Sequence, residues 1–226
     1  MAVIHRTTLN PGKLDLLAAW LPSQPWYAGG GAPDLAKAGG FRLDDPEGEV
    51  GIEFMVVTDA SAGRPVPYHV PVTYRGAPLE GAGAAALIGT SEHGVLGTRW
   101  VYDGAHDPVL TERLLALLHG RAEPQAQSES DTADPTVHSR FMGDDIPEGA
   151  AVESVRSGMY GTDVLLADPA GSGSWTLRVV RALRGDAEEA KGDAGPLHGE
   201  VTALWAPPGA EPARARFAEV RASTER

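Results

Sequence analysis

The chain has 226 residues, enough for one large domain or two small ones, and its 42% hydrophobic content with a mean hydropathy of -0.20 is that of a globular protein. Nineteen basic against 31 acidic residues give a net charge of -12, the opposite of what phosphate neutralisation needs, so nucleic acid and anionic membranes are excluded as expected partners. The absence of cysteine removes disulfides, thiolate nucleophiles, iron–sulfur clusters and cysteine-ligated zinc. No apolar run reaches the roughly 18 residues of a membrane span, and no secretory h-region precedes Pro11. The expected location is the cytoplasm.

Asn10-Pro11 reads as an N-cap followed by proline at the first helical position, and Leu14, Leu17, Ala18 and Leu21 recur on one helical face until Pro22 stops it. A segment rich in glycine follows, Gln24-Pro25-Trp26-Tyr27-Ala28-Gly29-Gly30-Gly31, in which the glycines are expected to hold two aromatics at a surface. Alternation predicts a strand over Val50–Thr58 and another over Val66–Tyr74, joined by the hairpin loop Asp59–Gly63. Pro67 and Pro71 share parity, so the second strand is expected at a sheet edge. Val95-Leu96 and Arg99–Tyr102 read as short strands. Asp107-Pro108 opens a second helix carrying Leu110, Leu114, Leu117 and Leu118, ended by Gly120.

Residues 121–150 hold seven acids (Glu123, Glu129, Asp131, Asp134, Asp144, Asp145, Glu148) against Arg121 and Arg140, and 121–135 contain no apolar residue larger than alanine. This reads as an acidic, flexible linker over 121–136 between a lobe at 1–120 and a lobe at 137–226. In the second lobe Val137–Met142, Ala151–Arg156, Thr162–Ala167, Ser174–Leu183, Gly199–Ala206 and Ala213–Val220 are strand candidates, making it all-β. Its connections read as a hairpin turn over Asp168–Gly173, another at Pro207-Pro208-Gly209, and an acidic flexible loop over Asp186–Leu197.

Chemistry-bearing patterns are sparse. No two of the seven histidines stand at the i, i+4 spacing that puts two imidazoles on one helical face, so no metal site is expected. Ser91-Glu92-His93 lacks nucleophile-elbow spacing, Gly29-Gly30-Gly31 lacks a preceding strand and a following Gly-Lys-Ser/Thr, and Asp44-Asp45 and Asp144-Asp145 sit in polar loops beside prolines. These read as turns, and no catalytic residue is assigned. The aromatics Trp20, Trp26, Tyr27, Trp100 and Tyr102 all fall in the first half, where they read as core rather than as a ligand platform.

Trp20-Leu21-Pro22-Ser23-Gln24-Pro25-Trp26-Tyr27-Ala28-Gly29 resembles the N-terminal cap of bacterial maltokinases and related sugar and aminosugar kinases, with Pro25 and Gly30 where that family carries basic residues. The resemblance implies a cystatin-like α+β cap, a helix on an antiparallel sheet, followed by an antiparallel β lobe. It continues at Val155–Val164 and Trp175–Arg181, which look like the strands of those kinases that cover nucleotide phosphates, with Arg178 at the place of a lysine. The family's catalytic carboxylate and Mg²⁺ ligands belong to a helical C-terminal lobe to which the resemblance does not extend. It therefore implies a non-catalytic, cap-like protein of bacterial, actinobacterial-type α-glucan, trehalose or sugar-phosphate metabolism that needs no cofactor. Its partner is a protein or a carbohydrate, met at Trp20, Gln24, Trp26, Tyr27 and Gly29. The alternative it implies is a degenerate kinase subunit binding ATP and Mg²⁺ at Gly161, Thr162 and Arg178.

Overall fold

The computed structural model describes residues 9–129, 131–142, 149–168, 173–183 and 196–223. The Asp144-Asp145 pair, the 169–172 turn and most of the 186–197 loop lie outside them.

The first helix, α1 (Lys13–Trp20), starts two residues later than Asn10-Pro11 suggests. Its N-cap is Gly12, whose N–H is taken by Asp15 Oδ2 at 3.1 Å. Strands β1 (Leu9–Asn10), β2 (Leu35–Leu43), β3 (Gly51–Asp59), β4 (Val66–Arg75), β5 (Leu87–His93) and β6 (Gly97–Asp103) follow, then α2 (Pro108–Leu118). Asp107 caps α2 through Oδ1 to the Val109 N–H at 3.0 Å, and Gly120 leaves it at φ +69°. Val95 and Leu96 occupy the exposed β5–β6 turn rather than a strand.

Beyond α2 come β7 (Gln125–Ala126), β8 (His138–Phe141), β9 (Ala151–Gly158), β10 (Gly161–Ala167), β11 (Ser174–Val179), β12 (Leu197–Trp205) and β13 (Ala213–Ala222), so the second half is all-β as its turn spacing suggests. The strands form one antiparallel path, β1-β5-β6-β4-β3-β2-β12-β13-β11-β10-β9, with β7 on β2 and β8 on β12. The cystatin-like α+β expectation is overturned. The described residues form a sandwich-like antiparallel β structure whose two regular helices have only 8 and 11 residues. The reason lies in what the helices cover. Helix α2 buries Leu110, Leu114, Leu115, Leu117 and Leu118 in a core shared with β2, β3 and strands β10 to β13, instead of lying on a sheet of the first half alone.

Strand β4 corrects a second expectation. It is no edge strand: β3 pairs one side along its whole length, and β6 takes the other side over residues 72–75. Earlier along that other side the segment after β11 pairs with it, His69 N–H donating to Arg181 O at 2.7 Å and Leu183 N–H to Pro67 O at 3.0 Å. Pro67 and Pro71 carry their missing donors on this side, where the neighbour changes from 181–183 to β6, so neither leaves a gap in a continuous ladder. The second joint between halves is the Trp205↔Gly39 pair of β12 and β2. Together they close the path β4-β3-β2-β12-β13-β11 into a ring around Phe41, Phe54, His69 and Phe217.

The 121–136 segment runs along this body. Ala126 and Gln125 pair with Phe41 and Arg42 of β2, Gln127 Nε2 donates to Glu53 Oε1 at 2.9 Å, and Val137 is buried.

Candidate functional site

The segment from α1 to β2 forms an aromatic corner. Trp20 ends α1, and the short helical turn Leu21–Ser23, with Ser23 Oγ donating to the Trp20 carbonyl at 2.7 Å, brings Trp26 back beside it. The two indoles meet edge to face at 5.8 Å, and Trp26 and Tyr27 pack on Tyr68 of β4 at 5.8 and 5.4 Å. Trp20 is 7% and Trp26 4% exposed, so the expectation that the glycines hold Trp26 at a surface is corrected. What covers Trp26 is a cation from the other half of the chain. The Arg181 guanidinium lies 5.1 Å from the ring centroid.

Of the remaining corner residues, Tyr27 is half-buried and donates its hydroxyl to Asp59 Oδ2 at 2.6 Å. Asp59 also accepts from Asp34 N–H, Ser61 N–H and Ser61 Oγ, and these bonds hold its carboxyl below the usual carboxylate range despite burial, while burial and the same carboxylate push the Tyr27 phenol up. Gln24 is half-buried, with Nε2 donating to Ser23 Oγ at 2.9 Å. Gly29 is where a side chain is excluded, because a Cβ there would stand 1.8 Å from the Tyr27 hydroxyl. The corner thus presents Gln24 and one edge of Tyr27 to solvent, and Trp20 and Trp26 to the interior.

The second set of sequence candidates lies on the β9–β10–β11 hairpins. Gly161 is buried at φ +155°, and a Cβ on it would meet the Val179 carbonyl at 2.6 Å. Thr162 is fully buried, its Oγ1 accepting from Arg181 Nε at 2.9 Å and sharing a hydrogen bond with Ser157 Oγ at 2.9 Å. Arg178 lies on the opposite face of the sheet from Thr162. It grips Asp163 with a fork, Nε to Oδ1 at 2.6 Å and one terminal nitrogen to Oδ2 at 2.8 Å, and this raises its already high pKa.

Sequence reasoning missed the residue that joins the two sets. Arg181, wholly buried, links residues of the two halves. One terminal nitrogen donates to both oxygens of Asp103 at 2.7 Å, Nε to Thr162, and its plane covers Trp26. Nothing local marks it, since Asp103 is 78 residues away. A second missed cluster surrounds Glu53 of β3, which accepts from Lys13 Nζ at 2.5 Å, Tyr74 Oη at 2.8 Å and Gln127 Nε2 at 2.9 Å. Burial and that carboxylate push the Tyr74 phenol well up. The cavity beside Lys13 and Tyr74 is about 10 Å³, room for about one water, so this cluster braces α1 rather than receiving a substrate. Among the described residues no group of three or more His, Asp or Glu side chains is arranged to hold a metal, and no helix is long and apolar enough to cross a membrane.

The segment that builds the aromatic corner, with β2 to β6 and the Asp103 carboxylate, coincides with a known unit. Residues 20–107 match the model of the maltokinase N-terminal cap domain. That segment is similar to a maltokinase cap. The match begins at Trp20 and stops at Asp107, the N-cap of α2, so the resemblance first seen at Trp20–Gly29 extends across the strands that hold those residues in place. Strands β8 to β13 lie outside the matched segment.

Proposed function

We propose that this chain works in maltokinase-associated sugar metabolism of the bacterial cytoplasm as a non-catalytic docking unit, binding a protein or carbohydrate partner without binding nucleotide. The observation that carries the maltokinase association is the cap match over residues 20–107. The commitments of Thr162 and Arg178 favour docking over nucleotide binding. The hydroxyl of Thr162 is buried against Arg181 and Ser157, and the Arg178 fork is closed on Asp163. A phosphate at the β9–β10 turn would have to displace a bidentate ion pair before gaining a charge partner of its own. At the aromatic corner, Gln24 and the open edge of Tyr27 are the groups that a sugar or a partner could reach.

Calorimetric titration of the intact protein with ATP and Mg²⁺, and separately with maltose, tests this reading. The docking reading expects no ATP binding up to millimolar concentration. Micromolar ATP affinity that falls in an Arg178→Ala variant would support the degenerate-kinase alternative instead.

A further inference from the structure

Strands β8 to β13 present an outer face with a charge pattern opposite to that of the whole chain. The registers align one row across six strands: Arg156 opposite Asp163, Asp163 opposite Arg178, Arg178 opposite Glu219, Glu219 opposite Glu200, and Glu200 opposite Arg140. Directly opposed residues of antiparallel strands share a face, so the row is one stripe. A register shift at Val201/Thr202 leaves Phe217 as an extra residue and brings Arg216 onto the same face, where it donates to Glu200 at 2.9 Å and Glu219 at 3.0 Å. Arg221 donates to Glu219 at 3.1 Å from the other side. Arg214, two residues before Arg216 on β13, shares this face, so the face carries six arginines against the three carboxylates of the row, on a chain whose net charge is -12.

At one end of the face the β9–β10 turn holds Met159 and Tyr160, 72% and 64% exposed and the two most exposed large hydrophobics among the described residues. Arg, Met and Tyr are residue types enriched at protein interfaces, and an exposed apolar pair beside arginines has the form of an anchor with a charged surround.

We infer that this face docks the acidic surface of a partner protein, with Met159 and Tyr160 entering an apolar cleft on it; the inference rests on the docking reading above. A guanidinium has five N–H donors, and the fork to Asp163 engages Nε and one terminal nitrogen of Arg178, so a paired arginine still presents further edges to an incoming carboxylate. The intramolecular acids hold the arginines in place and thereby reduce the ordering cost of binding. Nucleic acid and anionic membrane are disfavoured as occupants. Neither supplies a shaped cleft for two apolar side chains, which is what separates a protein partner from other anionic surfaces.

The test uses the intact chain and defined probes: fluorescently labelled poly-L-glutamate, a glutamate–phenylalanine copolymer of equal charge, a DNA oligomer of equal charge, and phosphatidylserine vesicles. The inference expects both polypeptides to bind at low salt, the copolymer at least threefold more tightly. It expects an Arg140→Glu/Arg156→Glu variant to lose at least tenfold for both, and a Met159→Ser/Tyr160→Ser variant to lose only the copolymer's advantage. All four substituted side chains are exposed, and thermal melts matching the parent's show that the variants are folded. Tighter binding of DNA or vesicles, or polypeptide binding indifferent to these substitutions, overturns the inference. No binding of any probe also overturns it, while the docking reading stands or falls separately on the ATP and maltose titrations.

Discussion

The cap segment and the β8–β13 half handle charge in opposite ways. In the cap segment several carboxylates turn inward, and four of them are each met by several donors. Asp45 takes the N–H groups of Glu47, Glu49 and Val50, Asp59 takes four bonds, Glu53 takes three, and Asp107 takes the Arg75 fork at 2.7 Å together with the start of α2. In the other half Asp163 and Glu200 stand on the outer face in line with arginines, partly wetted, Glu219 lies buried beneath Arg216 and Arg221, and the inner face is apolar. Buried charges lose much when a partner is removed, whereas wetted ones lose little. The cap should therefore be intolerant of polar substitution, and the outer face free to vary its charge with a partner. Arg181 is the exception, a buried cation supplied by the second half to the carboxylate of the first.

The contrast is broken most forcefully at Arg181. Arg181→Ala strands the Asp103 carboxylate and uncovers Trp26, and removing one member of a buried pair costs about 3–5 kcal/mol. Urea denaturation followed by tryptophan fluorescence should show this loss as a lower midpoint in one transition for both halves. A Trp26 transition moving alone would separate them. Trp26→Ala follows at about 3–5 kcal/mol, as expected for a truncated core aromatic. A melt almost unchanged by Trp26→Ala would contradict its placement between Trp20, Tyr68 and Arg181.

His69 extends the comparison into the ring. Its Nδ1–H donates to Val180 O at 2.9 Å, Nε2 has no partner among the described residues, and its ring lies 4.4 Å from Phe217. Burial lowers its pKa from 6.5 to about 3, helped by the positive charge of Arg181. Because the folded value is the lower one, the unfolded chain binds the proton first. Stability is thus unaffected above pH 6.5 and falls as pH drops from 6.5 toward 3, by about 2 kcal/mol between pH 6.5 and 5. Stability measured against pH should lose this component of its slope in His69→Phe, and an unchanged slope would remove His69 from the account. The smallest effect belongs to the outer face. Arg178→Ala, breaking a half-wetted pair, should cost only about 0.2–1 kcal/mol in the same denaturation experiment. A loss near that of Arg181→Ala would abolish the distinction between the regions.

What the sequence discloses follows from the range of the interactions. Val50, Ile52, Phe54 and Val56 against Val66, Tyr68, Val70 and Val72 disclose β3 and β4, because alternation is a local signal, and Asp107-Pro108 discloses α2 for the same reason. Strand β2 stays hidden, since Ala36, Ala38, Gly39 and Gly40 carry little apolar signal. The glycines are needed there, because a Cβ at Gly40 would stand 2.0 Å from the Phe54 carbonyl. The residues of the corner were legible as a group, but the burial of Trp26 was not, because its cover comes from a residue 155 positions later in the chain. The helix-on-sheet expectation failed for the same reason. A leucine face shows that α2 is buried without showing against which half.

The central claim, docking without phosphoryl transfer, is tested most directly by assaying sugar phosphate formed from maltose, glucose or glucosamine by the intact chain with ATP and Mg²⁺, beside an active maltokinase. The account predicts product no faster than the enzyme-free rate, and no gain from Arg178→Lys, because phosphoryl transfer depends on positioned metal and base groups that a single strand cation does not replace. Turnover in the ordinary kinase range of about 1–100 per second would contradict it.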